Sequence, residues 1–416
     1  MSIQSLTIYP AIKLSRLLLT LENGSRPSGG VGQVRKGIPS VGAEHISTDG
    51  KFSLANIKFV PEDFFNRMSR GIIKKHDVLV VKDGATTGKT AFVDDDFPFE
   101  KAAVNEHVFI LRPDPELLLP EFLFFFLYSA WGQAQIEREF HGGAIGGINQ
   151  TFADHLEIPL PPLPEQRRIA AILRQADLLR QWRKTTLNIA NYFLSALYEN
   201  LFGAIALDPT KQIAIDAILQ KYSGIVTGPF GTQLKVGELV ANGNPVFGIE
   251  NVQPNRFVSK VSKFITDEKF EDLIRYRVLP NDVLLTRMGT IGRACVVPQD
   301  VPEKSIISYH LFRLRPDVDN CLPKFLAATL NYSPFVAQQL KNFAAGAVMS
   351  GLNADTVRSI RIPRPLKEQQ ANYVQVVDAF TVEIEKLEKS NVLLEELFAS
   401  LVSRSFTGEL TDSWRK

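Results

Sequence analysis

HDVLVVKDGATTGKTAFV, residues 76–93, is the stretch on which the fold turns. Its centre, DGATTGKT, resembles a phosphate-binding loop closing on Gly88-Lys89-Thr90. Such a loop needs four residues between its glycines, a strand before it and a helix after it. Here only Ala85, Thr86 and Thr87 separate Gly84 from Gly88. Both flanks are short, apolar and rich in β-branched residues, which predicts strand–turn–strand. A cradle of backbone N–H groups closed by a helix dipole cannot be built on that pattern. A hairpin whose glycines supply positive φ can.

The stretch returns later in the chain, which settles its reading. HDVLVVKDGATTGKTAFV reappears as NDVLLTRMGTIGRACVV (281–297), one residue shorter and without the Gly-Lys-Thr ending. NEHVFILRPDPELLLPEFL (105–123) returns as SYHLFRLRPDVDNCLPKFL (308–326), and GGAIGGINQTFADHLEIPLP (142–161) as AGAVMSGLNADTVRSIRIPRP (345–365). LPEQRRIAAIL (163–173) returns as LKEQQANYVQV (366–376). The copies lie roughly 204 residues apart throughout, the signature of a duplicated unit. What survives at the turn is strand, glycine, one basic residue (Lys89 or Arg293) and strand. NPVF (244–247) resembles part of an adenine-methyltransferase tetrapeptide, but its second proline is missing. Its counterpart IPSV (38–41) lacks the asparagine.

Length and composition bound the rest. A chain of 416 residues predicts two or more domains. Cys295 and Cys321 cannot form a disulfide framework, which fits a reducing, cytoplasmic setting. The run Leu17–Leu21 is too short for a signal peptide, and FLFFFLYSAW (122–131) is far short of a bilayer span, so no membrane partner is expected. A net charge of +2 leaves any nucleic-acid surface to local basic residues. Asp94-Asp95-Asp96 has no counterpart in the second copy and reads as a solvated turn. His107 and His310 recur without metal-ligand spacing and read as strand positions.

Residues 165–202 and roughly 366–407 hold no Pro or Gly. Each run follows a Pro-rich lead-in and predicts a helix about 55–60 Å long. In the second, Phe380, Ile384, Leu387, Asn391, Leu394, Phe398 and Leu401 alternate steps of four and three, an a/d seam with one polar member. The first-copy positions are Ala176, Arg180, Arg183, Leu187, Ala190, Leu194 and Leu197. The first helix is basic and the second acidic, which favours pairing with each other, and a long helix after each unit lets the pair sit antiparallel.

The LPEQRRIAAIL helix opening, GPFGTQLK (228–235), DVLLTRMGTIGRA and the closing SFTGEL (405–410) together resemble the specificity subunit of type I restriction–modification systems. The resemblance spans nearly the whole chain. One departure is the first unit's NGSRPSGGVGQVRKGIPSV in place of a GPFG-type segment, so the two units should read different sequences. The resemblance implies an α+β fold with two globular target-recognition domains in tandem repeat. Two long antiparallel coiled-coil helices would separate them, giving a dumbbell with pseudo-two-fold symmetry. It places the first domain at 1–162, the central helix at 163–205, the second domain at 206–365 and the C-terminal helix at 366–416. It also implies a non-catalytic reader of double-stranded DNA, each domain reading half of a bipartite target. The helices would set the spacer and dock two modification (methyltransferase) subunits. Restriction (ATP-dependent endonuclease/translocase) subunits would join them. S-adenosylmethionine, ATP and Mg belong to those partners, and no cofactor to this chain.

Basic side chains on the glycine turns are the first DNA-binding candidates: Lys82, Lys89, Arg287 and Arg293. Arg293, with a fork suited to guanine, is the candidate base reader; Lys89, a point charge, the candidate phosphate holder. The Gly-rich loops 25–37 and 223–235 come second, with Gln33, Arg35, Lys36, Gln233 and Lys235. Loops GGAIGGIN and GAVMSGLN come third; their Asn149 and Asn353 are also suited to capping a helix. Two other functions compete. A fused methyltransferase or nuclease would need a cofactor loop and a complete catalytic tetrapeptide. A coiled-coil adaptor would not need DNA.

Overall fold

The computed structural model describes residues 7–31, 34–142, 146–345 and 351–415. The chain divides into two compact units: Met1–Lys184 with Lys389–Lys416, and Thr185–Glu388.

Unit 1 contains strands β1 (Ala11–Lys13), β2 (Leu18–Asn23), β3 (Ile38–Val41), β4 (Lys58–Val60), β5 (Val78–Val81), β6 (Thr90–Phe92), β7 (Ala103–Val104), β8 (Val108–Pro113) and β9 (Glu157–Pro159). They form the sheets β1-β9, β2-β8-β5-β6 and β4-β3-β7. Helices α1 (Glu62–Asn66), α2 (Pro120–Tyr128), α3 (Ala130–Arg138) and α4 (Phe152–His155) precede the long α5 (Leu163–Leu207).

Unit 2 repeats this plan with β10 (Gln212–Ala214), β11 (Ile225–Thr227), β12 (Asn244–Phe247), β13 (Val252–Gln253), β14 (Arg256–Phe257), β15 (Phe264–Ile265), β16 (Val283–Thr286), β17 (Ala294–Val296), β18 (Ile306–Ile307), β19 (Leu311–Leu314) and β20 (Arg361–Pro363). Its sheets are β10-β20, β11-β19-β16-β17 and β15-β12-β18, with the hairpin β13–β14 added. Helices α6 (Asp267–Asp272), α7 (Pro323–Tyr332), α8 (Pro334–Ala345) and α9 (Ala354–Ser359) lead to the long α10 (Lys367–Thr407). The short α11 (Asp412–Arg415) belongs to unit 1.

The central strands explain the layering. β5 is VLVV, buried along its whole length. Alternation sends Val78 and Val80 into the core under α2, and Leu79 and Val81 into the core against β3. β16 splits its residues the same way: Val283 and Leu285 on one side, Leu284 on the other. FLFFFLY in α2 is apolar all round because it packs on several sides, and no helix among the described residues is long and apolar enough to cross a membrane.

Two polar devices recur at equivalent positions. At the foot of each hairpin a buried carboxylate grips an arginine bidentately. Asp77 accepts from Arg112 Nε and Nη2 at 2.8 Å each; Asp282 accepts from Arg315 at 2.6 and 2.8 Å. The residues before them, His76 (φ 68°) and Asn281 (φ 69°), both take the left-handed conformation. At the start of each long helix, a buried glutamine satisfies backbone groups. Gln166 Oε1 accepts from Leu119 N at 2.8 Å, and its Nε2 donates to Leu117 O (3.0 Å) and Pro161 O (2.9 Å). Gln370 does the same with Leu322, Asn320 and Pro365.

The a/d seam of α10 faces inward, with none of its seven residues exposed, and so does its counterpart in α5. In unit 2, Phe193 packs on Phe380 and Tyr198 on Tyr373, so the two helical segments there run antiparallel. In unit 1, Arg180 pairs with Glu395 at 3.2 Å and its guanidinium lies 4.3 Å from the Phe398 ring centroid. The C-terminal segment placed at 366–416 is continuous helix only as far as Thr407. Gly408 turns the backbone left-handed (φ 89°), and a short 3-10 turn and α11 follow.

Candidate nucleic-acid interface

The DGATTGKT stretch is a hairpin turn. β5 and β6 pair antiparallel on either side of it, and Gly88 N donates to Val81 O at 2.8 Å. Gly84 (φ 81°) and Gly88 (φ 89°) take the backbone conformations that the turn demands. The second copy closes likewise, with Gly289 (φ 72°) and Gly292 (φ 92°).

In both units the turn is docked onto the glycine-rich loop that follows the helices. Gly84 N donates to Gly146 O at 2.9 Å, and Ile148 N to Lys82 O at 2.7 Å. In unit 2, Leu352 N donates to Arg287 O at 3.1 Å, and Arg287 Nε returns a bond to Leu352 O at 3.1 Å. The sequence ranked turn and glycine loop separately; the fold brings them together. Asn353 caps α9, its Oδ1 accepting from Thr356 N at 2.7 Å. Asn149 accepts from Thr151 N at 2.9 Å one turn before α4.

The candidate side chains fall into two groups. Several are free. Arg35 and Lys36 are exposed ahead of β3, and Lys235 is exposed on its loop. Lys89 is half-buried, with no ion pair for its ammonium among the described residues. Among the described residues the Arg293 guanidinium makes one long hydrogen bond, 3.5 Å to Gln253 Oε1. The others are engaged. Lys82 Nζ lies 3.4 Å from Asp83, and Asp83 also holds His107 Nδ1 at 2.6 Å. Gln233 Oε1 accepts from Tyr276 Oη (2.7 Å) and Phe230 N (3.2 Å), which fixes the loop. Arg287 also donates to Tyr309 O at 3.3 Å and lies 5.6 Å from the ring centroids of both Phe230 and Phe312. Burial pushes its pKa below the ordinary arginine value. Gln33 lies outside the described residues.

His107 and His310 are turn residues immediately before β8 and β19, not strand positions. Each strand begins one residue later because its first ladder partner is Val81 or Thr286. Burial, reinforced by Lys263, lowers the His310 pKa. Asp95 of the acidic triplet pairs with Lys75, and no group of His, Cys, Asp and Glu among the described residues is placed to hold a metal ion.

Phe230 is the residue the sequence reading passed over. It is 52% exposed at the tip of the GPFG loop, held there by Gln233 and by the Arg287 guanidinium. An aromatic between two glycines in a predicted loop was the signal that could have found it. The loop begins at Gly228, where any Cβ would come within 2.1 Å of Ser308 O, so only glycine fits.

Two copies of one domain, each presenting a glycine turn and a glycine loop and each leading into a long helix, define a tandem specificity-domain architecture. The sequence pattern of the Type I restriction modification DNA specificity domain matches residues 22–189 and again 231–395, and the chain belongs to that family. It is 24% identical over 407 residues to the StySPI specificity subunit of Salmonella potsdam, covering 91% of this chain and 83% of the relative. Against the EcoKI specificity subunit of Escherichia coli it is 24% identical over 406 residues, with the same coverage. Among solved structures, the S subunit of a type I system from M. genitalium superposes with a TM-score of 0.57 at 15% identity, covering 98% of both chains.

Proposed function

We infer that the chain is the DNA-specificity subunit of a type I restriction–modification complex and carries no catalysis of its own. Residues 1–162 and 206–365 act as target-recognition domains, each reading one half of a bipartite duplex. The helical segments 163–205 and 366–416 set the spacer and dock two modification subunits in the cytoplasm. Restriction subunits join that core. S-adenosylmethionine, ATP and Mg serve those partners.

The observation that carries this reading is the duplicated turn-and-loop arrangement with different side chains at its tips. The scaffold is constant, while DGATTGK faces MGTIGR and a GPFG loop stands in one unit only. That pattern suits two readers of different half-sites. Docking is supported by exposed apolar side chains on the long helices. In unit 1 these include Leu179 (50%), Leu393 (64%) and Leu397 (52%); in unit 2, Ile189 (64%), Tyr192 (74%) and Val382 (51%).

The test is binding of the chain, with its modification partner, to a duplex library varied in both half-sites. Arg293→Ala should relax preference at one position of one half-site and cost about 1–3 kcal/mol there. Lys89→Ala should weaken all sequences alike and reduce the salt slope by about one. Arg293→Ala relaxing both half-sites, or neither, would refute the assignment of one unit to one half-site through these turns.

A further inference from the structure

The four-stranded sheets of the two units differ by a buried charge. β8 runs Val108, Phe109, Ile110, Leu111, and β19 runs Leu311, Phe312, Arg313, Leu314 in the same register against β5 and β16. Ile110 is fully buried among aliphatic residues. Arg313, its counterpart, is 3% exposed. A buried guanidinium ordinarily needs a carboxylate. Arg313 has none. It donates to the carbonyls of Arg277 (2.7 Å), Arg275 (3.4 Å) and Ser223 (3.0 Å), and its Nε has no partner. Carbonyl dipoles fix the group without cancelling its charge. Burial, with Arg315 beside it, lowers the pKa to about 10, so it stays protonated at neutral pH.

Arg313 lines an open cavity of about 390 Å³ together with Arg275, Arg277, Arg315 and the fully exposed Tyr222. Arg315 is held by Asp282, and Arg277 lies 3.0 Å from Glu303, a carboxylate 85% exposed to water. Arg275 is exposed and stacks 4.6 Å from the Tyr276 ring centroid, with no carboxylate partner among the described residues. Four guanidiniums therefore face two carboxylates. In unit 1, Ile110 and Ile72 stand where unit 2 has Arg313 and Arg277, the latter pair matched by equivalent bridges to β7 and β18.

We propose that this cavity is a phosphate-binding site particular to unit 2. Arg275 and Arg277 supply donors from the accessible side, and Arg313 supplies a fixed buried charge. Planar guanidinium forks match the oxygens of a phosphate group, and desolvation strengthens the attraction. The phosphate comes from a DNA backbone, which rests on the function inferred above, or from a free phosphate, which does not.

The experiment is phenylglyoxal labelling of the full-length chain, with modification at Arg275 and Arg277 quantified by peptide mass spectrometry. The probes are inorganic phosphate and a mixed-sequence DNA duplex, each compared with chloride at equal ionic strength. Fluorescence polarisation of the duplex is read in parallel. Inorganic phosphate should slow labelling of both arginines several-fold if free phosphate is the ligand. Protection by duplex alone assigns the site to the DNA backbone. Arg275→Glu, on an exposed side chain, should abolish protection of Arg277. Arg313→Ile, which restores the unit 1 residue, should do the same. Duplex that binds by polarisation while neither probe protects either arginine overturns the site and leaves the DNA-reading function standing. If duplex does not bind even with the modification partner present, the DNA reading fails, and the phosphate arm alone decides the site.

Discussion

Unit 1 and unit 2 share a strand order, a left-handed residue before each hairpin, an aspartate–arginine grip and a glutamine at the start of each long helix. They differ at the turn tips, in the charge state of one core position, and in the sign of one surface ion pair. Duplication kept the devices that hold the backbone and altered turn tips, one surface pair and one buried strand position. The two units also carry separate natural probes. Trp131, Trp182 and Trp414 all belong to unit 1, and Cys295 and Cys321 to unit 2. Tryptophan fluorescence should therefore follow unfolding of unit 1. Labelling of the two buried thiols, whose pKa values burial raises to about 12, should follow unit 2.

The largest difference is expected at the carboxylate grip. Asp282→Ala leaves both Arg315 and the buried Arg313 without a nearby carboxylate, and should cost unit 2 about 3–5 kcal/mol. Asp77→Ala should cost unit 1 less. The Arg112 and Arg315 side chains are about equally exposed (22% and 18%), but the core position beside Arg112 is Ile110, where unit 2 has a second buried guanidinium. Urea unfolding followed by both probes measures this. The thiol transition should move in the first variant and the tryptophan transition in the second. Transitions that move together in both would break the comparison, because the units would then unfold as one.

A smaller effect is expected where the long helices begin. Gln166→Ala strands the buried N–H of Leu119 and should cost about 1–3 kcal/mol. Gln370→Ala should cost less. Two of its three bonds are 3.4 Å long, whereas those of Gln166 lie between 2.8 and 3.0 Å. The same two probes decide the order, and equal costs would mean that bond length is not what distinguishes the two glutamines.

Much of this was legible in the sequence because it is local or repeated. One residue too few between Gly84 and Gly88, with strands on both sides, excluded a nucleotide loop. The seam of α10 followed from spacing alone. The freedom of individual basic residues was not legible, because their partners come from distant segments. Gln233 is held by Tyr276, and Arg287 by the carbonyls of Leu352 and Tyr309. No local pattern around GTQLK or TRMG carries that information. The Ile110-to-Arg313 exchange was visible in the aligned copies. Its burial became apparent only once β19 was placed between β11 and β16.

The smallest expected effect concerns the ion pair that reverses sign. In unit 1 a loop residue, Asp49, meets Lys184 of α5 at 2.9 Å. In unit 2 a hairpin residue, Arg256, meets both oxygens of Glu388 of α10 at 2.9 and 2.8 Å. Lys184 and Glu388 are equivalent positions of the repeat, so each unit braces its β-structure to a long helix with the opposite polarity. Exposed pairs contribute only about 0.2–1 kcal/mol, and these are partly exposed. Glu388→Lys should lower the thiol-detected stability of unit 2 by that order, and adding Arg256→Glu should restore it by recreating the unit 1 polarity. Screening at about 1 M salt, where the Debye length is about 3 Å, should erase the difference. The pH dependence has a definite sign in unit 1. Burial opposes charge on Asp49, but hydrogen bonds from Ser47 and Lys184 outweigh it and hold the carboxyl below its ordinary value. Its contribution is therefore present above the ordinary carboxylate pKa of about 3.9 and is lost as pH falls through the lowered one. A Lys184→Ala chain should lose that acid-side slope in the tryptophan signal. If the slope persists, Asp49 is held by Ser47 alone and the brace in unit 1 carries no electrostatic load.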